Sequence, residues 1–314
     1  MISCKYNLIV ILGPTATGKT RLAAQLAYKL NGEVISADSR QVYRRMDIGT
    51  GKDYKDYVVN NTTVPYHLID IAEPTEEYNL FRFREDFHKI FEDISKIGKL
   101  PFLAGGTGLY IDAILKNYDL KKASISPDEY EQLNSEDLEV LREKLLTMAP
   151  ALHNTSDLKD KERIIQRIIV LRSRINNREK QLISEPGKAI NGFVIGIKLE
   201  RNIVRERITR RLDERLKSGM IEEVEALLKE GLTFEKLDYF GLEYRFIGEY
   251  LAGLTTYEQM FEKLNHAIHR FSKRQMTWFR KMEREGTLIN WIDGPDVAAA
   301  ENLLNTIELE GTGR

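Results

Sequence analysis

The stretch Gly13–Thr20 reads Gly-Pro-Thr-Ala-Thr-Gly-Lys-Thr and directly follows the apolar run Leu8–Leu12. It matches the GxxxxGK[ST] pattern of a phosphate-binding P-loop. The apolar run predicts a buried strand, and the spacing of Leu22, Leu26 and Leu30 predicts a helix after the loop. In this context the backbone N–H groups of the loop and of the helix N-terminus can hold an anion. The stretch therefore predicts an α/β fold with a phosphate site at the end of its first strand.

Two side chains of this loop have chemistry of their own. Lys19 can balance the charge of a di- or triphosphate, and the hydroxyl of Thr20 is placed to bind Mg²⁺. The loop alone specifies neither the phosphate compound nor the reaction. The candidate diphosphate-binding residues are Gly13, Pro14, Thr15, Ala16, Thr17, Gly18, Lys19 and Thr20.

The composition excludes several classes of protein. Of the 314 residues, 42% are hydrophobic and 30% are charged, as in ordinary soluble proteins. No apolar run approaches the ~20 residues of a membrane span, so we expect no membrane partner. A single cysteine, Cys4, excludes an internal disulfide and a cysteine-based zinc site, and it fits the reducing cytoplasm. The net charge of −1 gives no overall attraction to nucleic acid, so an RNA site would have to come from local clusters.

The first 120 residues alternate short apolar runs with helical patterns, as a parallel sheet with crossover helices requires. The predicted strands are Leu8–Leu12, Glu33–Ala37, His67–Ile71, Leu100–Ala104 and, later in the chain, Phe193–Leu199. The predicted helices are Thr20–Leu30, Leu80–Ile97, Leu109–Leu115, Asn202–Gly219, Ile221–Glu230, Tyr257–Glu285 and Ala298–Leu304.

Residues 121–192 have a different character, with charged helical segments and no clear strand. We therefore predict a doubly wound P-loop domain made of residues 1–120 and 193–314, with helices towards its C-terminus. Residues 121–192 are predicted to form a helical insertion domain.

The loops after four predicted strands are polar or rich in glycine, and in a doubly wound sheet they should meet at one crevice. Asp38 in this crevice could act as a general base, bind a metal through water, or cap the next helix. The Gly105–Gly108 turn could approach a ligand closely, with Thr107 supplying a hydroxyl, or could be a plain turn. The strand Leu100–Ala104 lacks the final aspartate of a Walker-B strand, which argues against a motor or switch NTPase. The four loops are Gly13–Thr20, Asp38–Gln41, Glu73–Pro74 and Gly105–Gly108.

Basic residues cluster in three places despite the neutral net charge. Arg163, Arg167, Arg174 and Arg178 recur at spacings of 4, 7 and 4, so they share one helix face. Such a stripe suits contact with a phosphate backbone, although a solvated helix face would look the same. A third group around Phe271 and Trp278 offers basic residues to solvent or RNA, and its aromatic rings are expected in the core: Arg270, Lys273, Arg274, Arg280 and Lys281.

The second cluster contains Arg207, Arg211 and Arg215 beside the apolar stripe of one predicted helix. A guanidinium next to a buried stripe can point into a crevice and bind a diphosphate with two hydrogen bonds. Acidic neighbours on the same helix could instead neutralise these arginines locally: Glu206, Asp213 and Glu214.

Taken together, these motifs resemble the bacterial tRNA dimethylallyltransferases, also called isopentenyl-diphosphate:tRNA transferases. The P-loop is generic, but the other segments in series are specific, and they extend from about residue 8 to residue 285. The matching segments are Gly13–Thr20 (GPTATGKT), Ile35–Tyr43 (ISADSRQVY), Met46–Thr50 (MDIGT), His67–Ile71 (HLIDI), Leu103–Ile111 (LAGGTGLYI) and Lys273–Trp278 (KRQMTW).

The resemblance implies transfer of a dimethylallyl group from dimethylallyl diphosphate to N6 of the adenosine at tRNA position 37, next to the anticodon. The P-loop would then hold the diphosphate that leaves. Asp38 matches the carboxylate that contacts the N6 amine and acts as base, and Arg207 matches the arginine that binds the diphosphate. Thr20, as the Mg²⁺ ligand, completes the catalytic set.

The resemblance also implies contact with the tRNA anticodon arm, by the crevice and by the insertion domain. The target base must leave its stack to reach the crevice. We expect a cytoplasmic monomer. The residues expected to contact tRNA are Asp38, Ser39, Arg40, Gln41, Thr107, Arg163, Ile164, Ile165, Gln166 and Arg167.

The chain departs from the family pattern at three points. Gln166 stands where an arginine is usual, and Arg167 follows one place later. Gly51-Lys52-Asp53 replaces the commoner Ala-Lys-Pro. The segment Phe240–Arg245 (FGLEYR) alters the usual glycine–tyrosine pair.

Three other functions share part of this sequence evidence. Prenylation of a free adenine nucleotide and phosphorylation of a small molecule would both use the P-loop but leave the basic insertion unexplained. An RNA-binding module that responds to nucleotides would explain both features but leave Asp38 without a role.

Overall fold

The computed structural model describes residues 5–117, 127–148, 161, 164–165, 168, 171–172 and 189–309. The chain divides into two compact units. The first combines Met1–Lys116 with Ile190–Arg314, and the second is Asn117–Ala189. The expected insertion of residues 121–192 falls largely within the second unit.

The first unit is built on a six-stranded sheet in the order β5-β2-β6-β1-β7-β8, and all of its neighbouring pairs are parallel. A separate antiparallel ribbon joins β3 and β4. The predicted α/β fold on a parallel sheet is therefore confirmed. The strands are β1 (Leu8–Leu12), β2 (Gly32–Ala37), β3 (Val58–Val59), β4 (Thr62–Thr63), β5 (Tyr66–His67), β6 (Leu100–Gly105), β7 (Gly192–Lys198) and β8 (Ile289–Asp293).

Helices cover both faces of this sheet, so its central strands are apolar on both sides. In β1, Leu8, Val10 and Leu12 join one buried cluster, and Ile9 and Ile11 join the other. The α-helices whose bounds lie within the described residues are α1 (Lys19–Lys29), α2 (Leu80–Lys96), α3 (Gly108–Leu115), α4 (Pro127–Ser135), α5 (Leu138–Met148), α6 (Arg201–Lys217), α7 (Met220–Lys229), α8 (Phe234–Phe240), α9 (Leu242–Leu251), α10 (Tyr257–Arg284) and α11 (Val297–Leu304). Among the described helices, none has both the length and the apolarity needed to cross a membrane.

The strand predicted at His67–Ile71 is shorter than expected and ends at His67. Leu68 and Asp70 take left-handed backbone angles, with φ of 61° and 56°. A non-glycine residue rarely adopts this conformation, and it cannot continue a strand. The apolar composition of the segment instead serves its burial, since Leu68 is 2% exposed.

A buried lysine holds this irregular segment in place. The ammonium of Lys52 donates to the carbonyl oxygen of Tyr43 (2.5 Å), to Asp47 Oδ1 (2.8 Å) and to the carboxylate of Asp70. The hydroxyl of Tyr54 donates to the same Asp70 carboxylate. The Lys52 side chain is fully buried, so these bonds satisfy a charge that has no access to water.

A partly buried carboxylate fixes the Met46–Thr50 loop in a similar way. Glu223 accepts hydrogen bonds from the backbone N–H groups of Asp47, Ile48 and Gly49 at 2.7–3.0 Å, and from the hydroxyl of Tyr244 at 2.7 Å. In both networks a charged side chain stabilises a loop that lies outside the sheet. This gives a structural role to Asp47 and Asp70, which lie in the family-like segments Met46–Thr50 and His67–Ile71.

The second unit has a small apolar core of its own. Its described helices α4 and α5 contribute Leu133, Leu141 and Leu145, and these pack with Ile164, Ile165 and Ile168.

Candidate active site

Three strand ends meet side by side at the carboxyl edge of the sheet. Strand β6 lies between β1 and β2, and its last residue, Gly105, pairs with both Leu12 and Ala37. A Cβ atom at Gly105 would lie 2.2 Å from the carbonyl oxygen of Ala37, so only glycine allows this close approach. The Gly105–Gly108 turn therefore begins between the P-loop and Asp38.

The P-loop has the backbone shape that its sequence predicts. Gly18 has a φ of 84° and caps the N-terminus of α1, and Ala16 has a φ of 66°. The hydroxyl of Thr17 donates to the carbonyl oxygen of Pro14 at 2.9 Å and closes the turn. A left-handed turn that leads into a helix N-terminus is the backbone arrangement in which N–H groups can bind an anion.

The side chain of Lys19 lies inside this loop, with Nζ 3.5 Å from the carbonyl oxygen of Pro14. Burial, together with the positive charges of Arg211 and Arg215, lowers the pKa of Lys19 to about 8, although Asp38 acts in the opposite direction. An anion bound to the loop would give the Lys19 ammonium a negatively charged partner and would raise its pKa again.

Helix α6 brings two arginines to the loop. Arg211 Nη2 donates to the hydroxyl oxygen of Thr15, and Arg215 Nη2 lies 3.5 Å from Asp53 Oδ2. Burial, reinforced by Arg215, lowers the pKa of Arg211 to about 10. The side chains lie beside the buried stripe of α6, so they point into the crevice as the spacing allows.

Arg207, the arginine nominated by the family resemblance, lies two turns before Arg215 on the same helix. Among the described arginines of α6, Arg211 is the one that donates a hydrogen bond to the P-loop. The role of Arg207 stays a prediction. Sequence reasoning named Arg211 as a neighbour of the stripe, but it did not select it.

Asp38 follows β2 directly and lies in an open turn. Its Oδ1 accepts the backbone N–H of Arg40 at 2.9 Å, which holds the carboxylate in one orientation. Residues 39–42 form turns and Tyr43 forms an isolated bridge with Ala72, so the alternative in which Asp38 caps a following helix does not apply. The negative charge of Asp38 acts to raise the pKa of Lys19, of Arg211 and of Tyr57. The carboxylate therefore lies close to the P-loop.

Thr107 connects the middle loop to the Asp38 turn. Its backbone N–H donates to the carbonyl oxygen of Ala37 at 3.3 Å, and its hydroxyl oxygen accepts the N–H of Ser39 at 3.4 Å. The Thr107 side chain therefore supports the turn that carries Asp38 and Ser39.

The other predicted contact residues of this turn have partners within the protein. The guanidinium of Arg40 lies over the ring of Tyr239, 5.0 Å from its centroid. The amide of Gln41 accepts a hydrogen bond from the Ser36 hydroxyl at 3.0 Å and donates to the carbonyl oxygen of Gly51 at 3.0 Å. Arg40 thus offers a cation on an aromatic surface, whereas the Gln41 amide fixes the loop.

Glu243 lies in the same crevice and was not singled out by sequence reasoning. It stands in the first turn of α9, in the segment that alters the usual glycine–tyrosine pair. Burial raises the pKa of the Glu243 carboxyl, and the nearby Arg215 and Arg211 act against that rise.

The fourth predicted loop, Glu73–Pro74, has its charge paired within the protein. Glu73 forms ion pairs with Arg44 (3.3 Å) and Arg45 (2.7 Å).

Five predicted tRNA-binding residues belong to the second unit. Arg163, Gln166 and Arg167 lie outside the described residues. Ile164 and Ile165 are fully buried in the apolar core of that unit, so their side chains are not available to RNA.

Across the described residues there is no group of three or more His, Cys, Asp and Glu side chains that could hold a metal ion. A metal at this crevice would therefore rely on the Thr20 hydroxyl together with the oxygens of a bound phosphate and water. That donor set suits Mg²⁺, which keeps several waters and needs few protein ligands.

Comparison with known proteins assigns this architecture to a family. The model of the IPP transferase family matches residues 41–282, and that of the isopentenyl transferases matches residues 6–66. The chain belongs to the IPP transferase family. Two curated relatives of this family member are tRNA dimethylallyltransferase 2 of Trichlorobacter lovleyi and tRNA dimethylallyltransferase 1 of Syntrophus aciditrophicus. The first is 48% identical over 305 residues (96% of this chain, 98% of the relative), and the second is 46% identical over 298 residues (95% and 97%).

A solved structure of a similar protein agrees with this assignment. The full-length tRNA isopentenylpyrophosphate transferase from Bacillus halodurans is 32% identical, with a TM-score of 0.68 over 96% of each chain. A eukaryotic dimethylallyltransferase crystallised acting on tRNA shares the fold, with a TM-score of 0.76 over 98% of this chain and 81% of its own, at 23% identity.

Proposed function

We propose that this IPP transferase transfers a dimethylallyl group from dimethylallyl diphosphate to N6 of the adenosine at tRNA position 37, and releases diphosphate. The observation that carries the proposal is one crevice that joins a P-loop, two partly buried arginines and the carboxylate of Asp38. A kinase would use the loop, the arginines and a carboxylate base in the same way, because its acceptor hydroxyl also loses a proton. Membership of the IPP transferase family, with relatives named tRNA dimethylallyltransferase, favours prenyl transfer over phosphoryl transfer.

The reaction needs one bond to break and one to form. The N6 nitrogen attacks C1 of the dimethylallyl group, and the bond from C1 to the diphosphate oxygen breaks with its electron pair on that oxygen. Asp38 takes the proton that N6 loses. Because negative charge builds on the leaving diphosphate, Lys19, Arg211 and the loop N–H groups stabilise the transition state more than the substrate.

Mg²⁺ would bind at the Thr20 hydroxyl, where it would add positive charge beside the departing diphosphate. The P-loop residues Gly13–Thr20 hold the diphosphate itself. Arg207 stays a second candidate for this contact, one turn of α6 from Arg211.

Asp38, Ser39, Arg40 and Thr107 form the acceptor side of the crevice in this proposal. The second unit provides the contact with the anticodon arm, through arginines of the segment that contains Arg163 and Arg167. The protein acts in the cytoplasm as a monomer.

The function is tested with the purified protein, labelled dimethylallyl diphosphate and one of two acceptors, unmodified tRNA or AMP. We expect label to appear in tRNA at the adenosine next to the anticodon. Label that enters only AMP would identify an adenylate prenyltransferase. Consumption of ATP without transfer of label would identify a phosphotransferase instead.

The contact between Arg211 and the loop leads to a prediction about diphosphate affinity. Arg211→Ala is expected to weaken binding of inorganic diphosphate by about 10- to 100-fold, the range for a lost hydrogen bond to a charged group. Arg207→Ala is measured in parallel, and Arg210→Ala on the exposed side of α6 is the control, with affinity close to that of the parent. Titration calorimetry gives the three dissociation constants. Parent-like affinity in Arg211→Ala with a large loss in Arg207→Ala would transfer the role to Arg207.

A further inference from the structure

Gln275 is a buried side chain of α10 that contacts two of the loops of the crevice. Its Oε1 accepts the backbone N–H of Thr15 at 2.8 Å, and its Nε2 donates to the carbonyl oxygen of Gly106 at 2.9 Å. The residue is 8% exposed. A single amide thus bridges the P-loop and the Gly105–Gly108 turn, across 260 and 169 residues of sequence.

The backbone of the Gly105–Gly108 turn lies so close to α10 that two of its positions have no room for a side chain. A Cβ atom at Gly106 would lie 2.3 Å from Gln275 Nε2, and one at Gly108 would lie 2.2 Å from Cδ1 of Trp278. Trp278 is one turn after Gln275 on α10. The helix therefore packs directly on the backbone of the turn, with Gln275 against Gly106 and Trp278 against Gly108.

The bridged turn is also tied to the acceptor side of the crevice. Thr107, the residue after Gly106, donates from its N–H to Ala37 and accepts the N–H of Ser39. Two links in series therefore lead from the P-loop to Asp38: Gln275 joins Thr15 to Gly106, and Thr107 joins the turn to the Asp38 segment. The side chain of Gln275 makes the first of these two links.

We propose that Gln275 is a positioning residue that sets the distance between the diphosphate held by the P-loop and the acceptor amine held beside Asp38. This inference rests on the proposed function. It gives a role to the Lys273–Trp278 segment, which neither the P-loop nor Asp38 explains. Because the rate of a group transfer depends steeply on the placement of its two reactants, a loose bridge should slow transfer more than it weakens binding.

Glutamine is suited to this role because one planar amide offers both an acceptor and a donor. Glutamate keeps an acceptor for the N–H of Thr15 but has no donor for the carbonyl oxygen of Gly106. Methionine has a similar length and offers neither bond. Gln275→Glu and Gln275→Met therefore separate loss of one half of the bridge from loss of both.

The test compares the two variants with the parent and with Phe279→Leu, a core change one turn further along α10. We expect Gln275→Met to lower kcat for transfer to tRNA by about 10- to 100-fold, with the dissociation constant of inorganic diphosphate within about threefold of the parent. A larger share of the donor should be hydrolysed to the free alcohol, because water competes better for a misplaced donor. Gln275→Glu should lower kcat as well, because the bond to Gly106 is lost.

A second readout does not depend on activity. Hydrogen exchange at the amide of Thr15 should accelerate at least about tenfold in Gln275→Met, because its acceptor is gone. Phe279→Leu is expected to lower the melting temperature while kcat and Thr15 exchange stay near those of the parent. An unchanged kcat in Gln275→Met, or an equal loss in Phe279→Leu, would overturn the positioning role. An unaffected Gln275→Glu would overturn the link to Gly106. If the parent itself transfers no label to tRNA, the proposed function fails, and the exchange experiment still decides whether the bridge exists.

Discussion

Asp38→Asn is expected to lower the rate of dimethylallyl transfer to tRNA by about 10²–10⁴-fold, the range for loss of a general base. Asparagine keeps the size of the side chain and an acceptor for the N–H of Arg40, so the turn should keep its shape. It cannot take the proton of N6. Affinity for tRNA should stay within a few-fold of the parent, and single-turnover kinetics with a separate tRNA binding assay measure the two quantities.

The matched control for this prediction is Asp53→Asn. It removes one negative charge from the same crevice, at the partner of Arg215, but leaves the acceptor side intact. We expect its single-turnover rate to stay within about tenfold of the parent. Lost tRNA affinity with a normal rate in Asp38→Asn would show that Asp38 binds the substrate and does not act as the base.

Lys52→Met is expected to lower the free energy of unfolding by roughly 1–3 kcal/mol, because it removes a buried ammonium that joins two partly exposed carboxylates and leaves the carbonyl oxygen of Tyr43 without its donor. The affected segment contains Asp47 and Asp70, which the ammonium of Lys52 joins. Urea unfolding followed by tryptophan fluorescence measures the change. Methionine fills a similar volume, so loss of packing contributes little.

Two further variants separate the charge effect from other causes. Lys55→Met, at an exposed lysine three residues away, should change stability by less than about 0.5 kcal/mol. The double variant Lys52→Met with Asp70→Asn should recover part of the loss, because one of the two uncompensated charges is gone. A full loss in the double variant would mean that the hydrogen-bond geometry, and not the charge, stabilises the segment.

The sequence allows the strand, loop and helix of the phosphate site to be predicted because local rules decide each part. The run Leu8–Leu12 is apolar at every position and forms the central strand with those bounds. Gly18 and the pattern of α1 then specify the turn and the helix that follow it. Asp38 and Thr107 could be named because each directly follows a strand, and parallel strands end at one edge.

Other parts depend on contacts between distant segments, which no local pattern encodes. Strand β5 ends at His67 because the backbone is left-handed at Leu68 and again at Asp70. The bond from Lys52 to the Asp70 carboxylate stabilises this conformation. Strand β8 is a short edge strand with polar positions, and it forms because β7 offers a parallel partner. The bridge made by Gln275 joins residues that lie 260 positions apart. In the sequence it appears only as one polar residue on a helix, without a sign of its partners.

The charges named in the crevice have a consequence for turnover. Among the described residues, the cations Lys19, Arg211 and Arg215 share the crevice with carboxyl groups that include Asp38 and Asp53, so carboxylates offset part of its positive charge. A pocket of pure positive charge would bind the product diphosphate so tightly that its escape would limit every cycle. The carboxylates offset that attraction, and the arginines have internal partners to return to once the product leaves. In the proposed reaction, we therefore expect the same acidic groups that make the site look poorly suited to an anion to weaken inhibition by the product diphosphate.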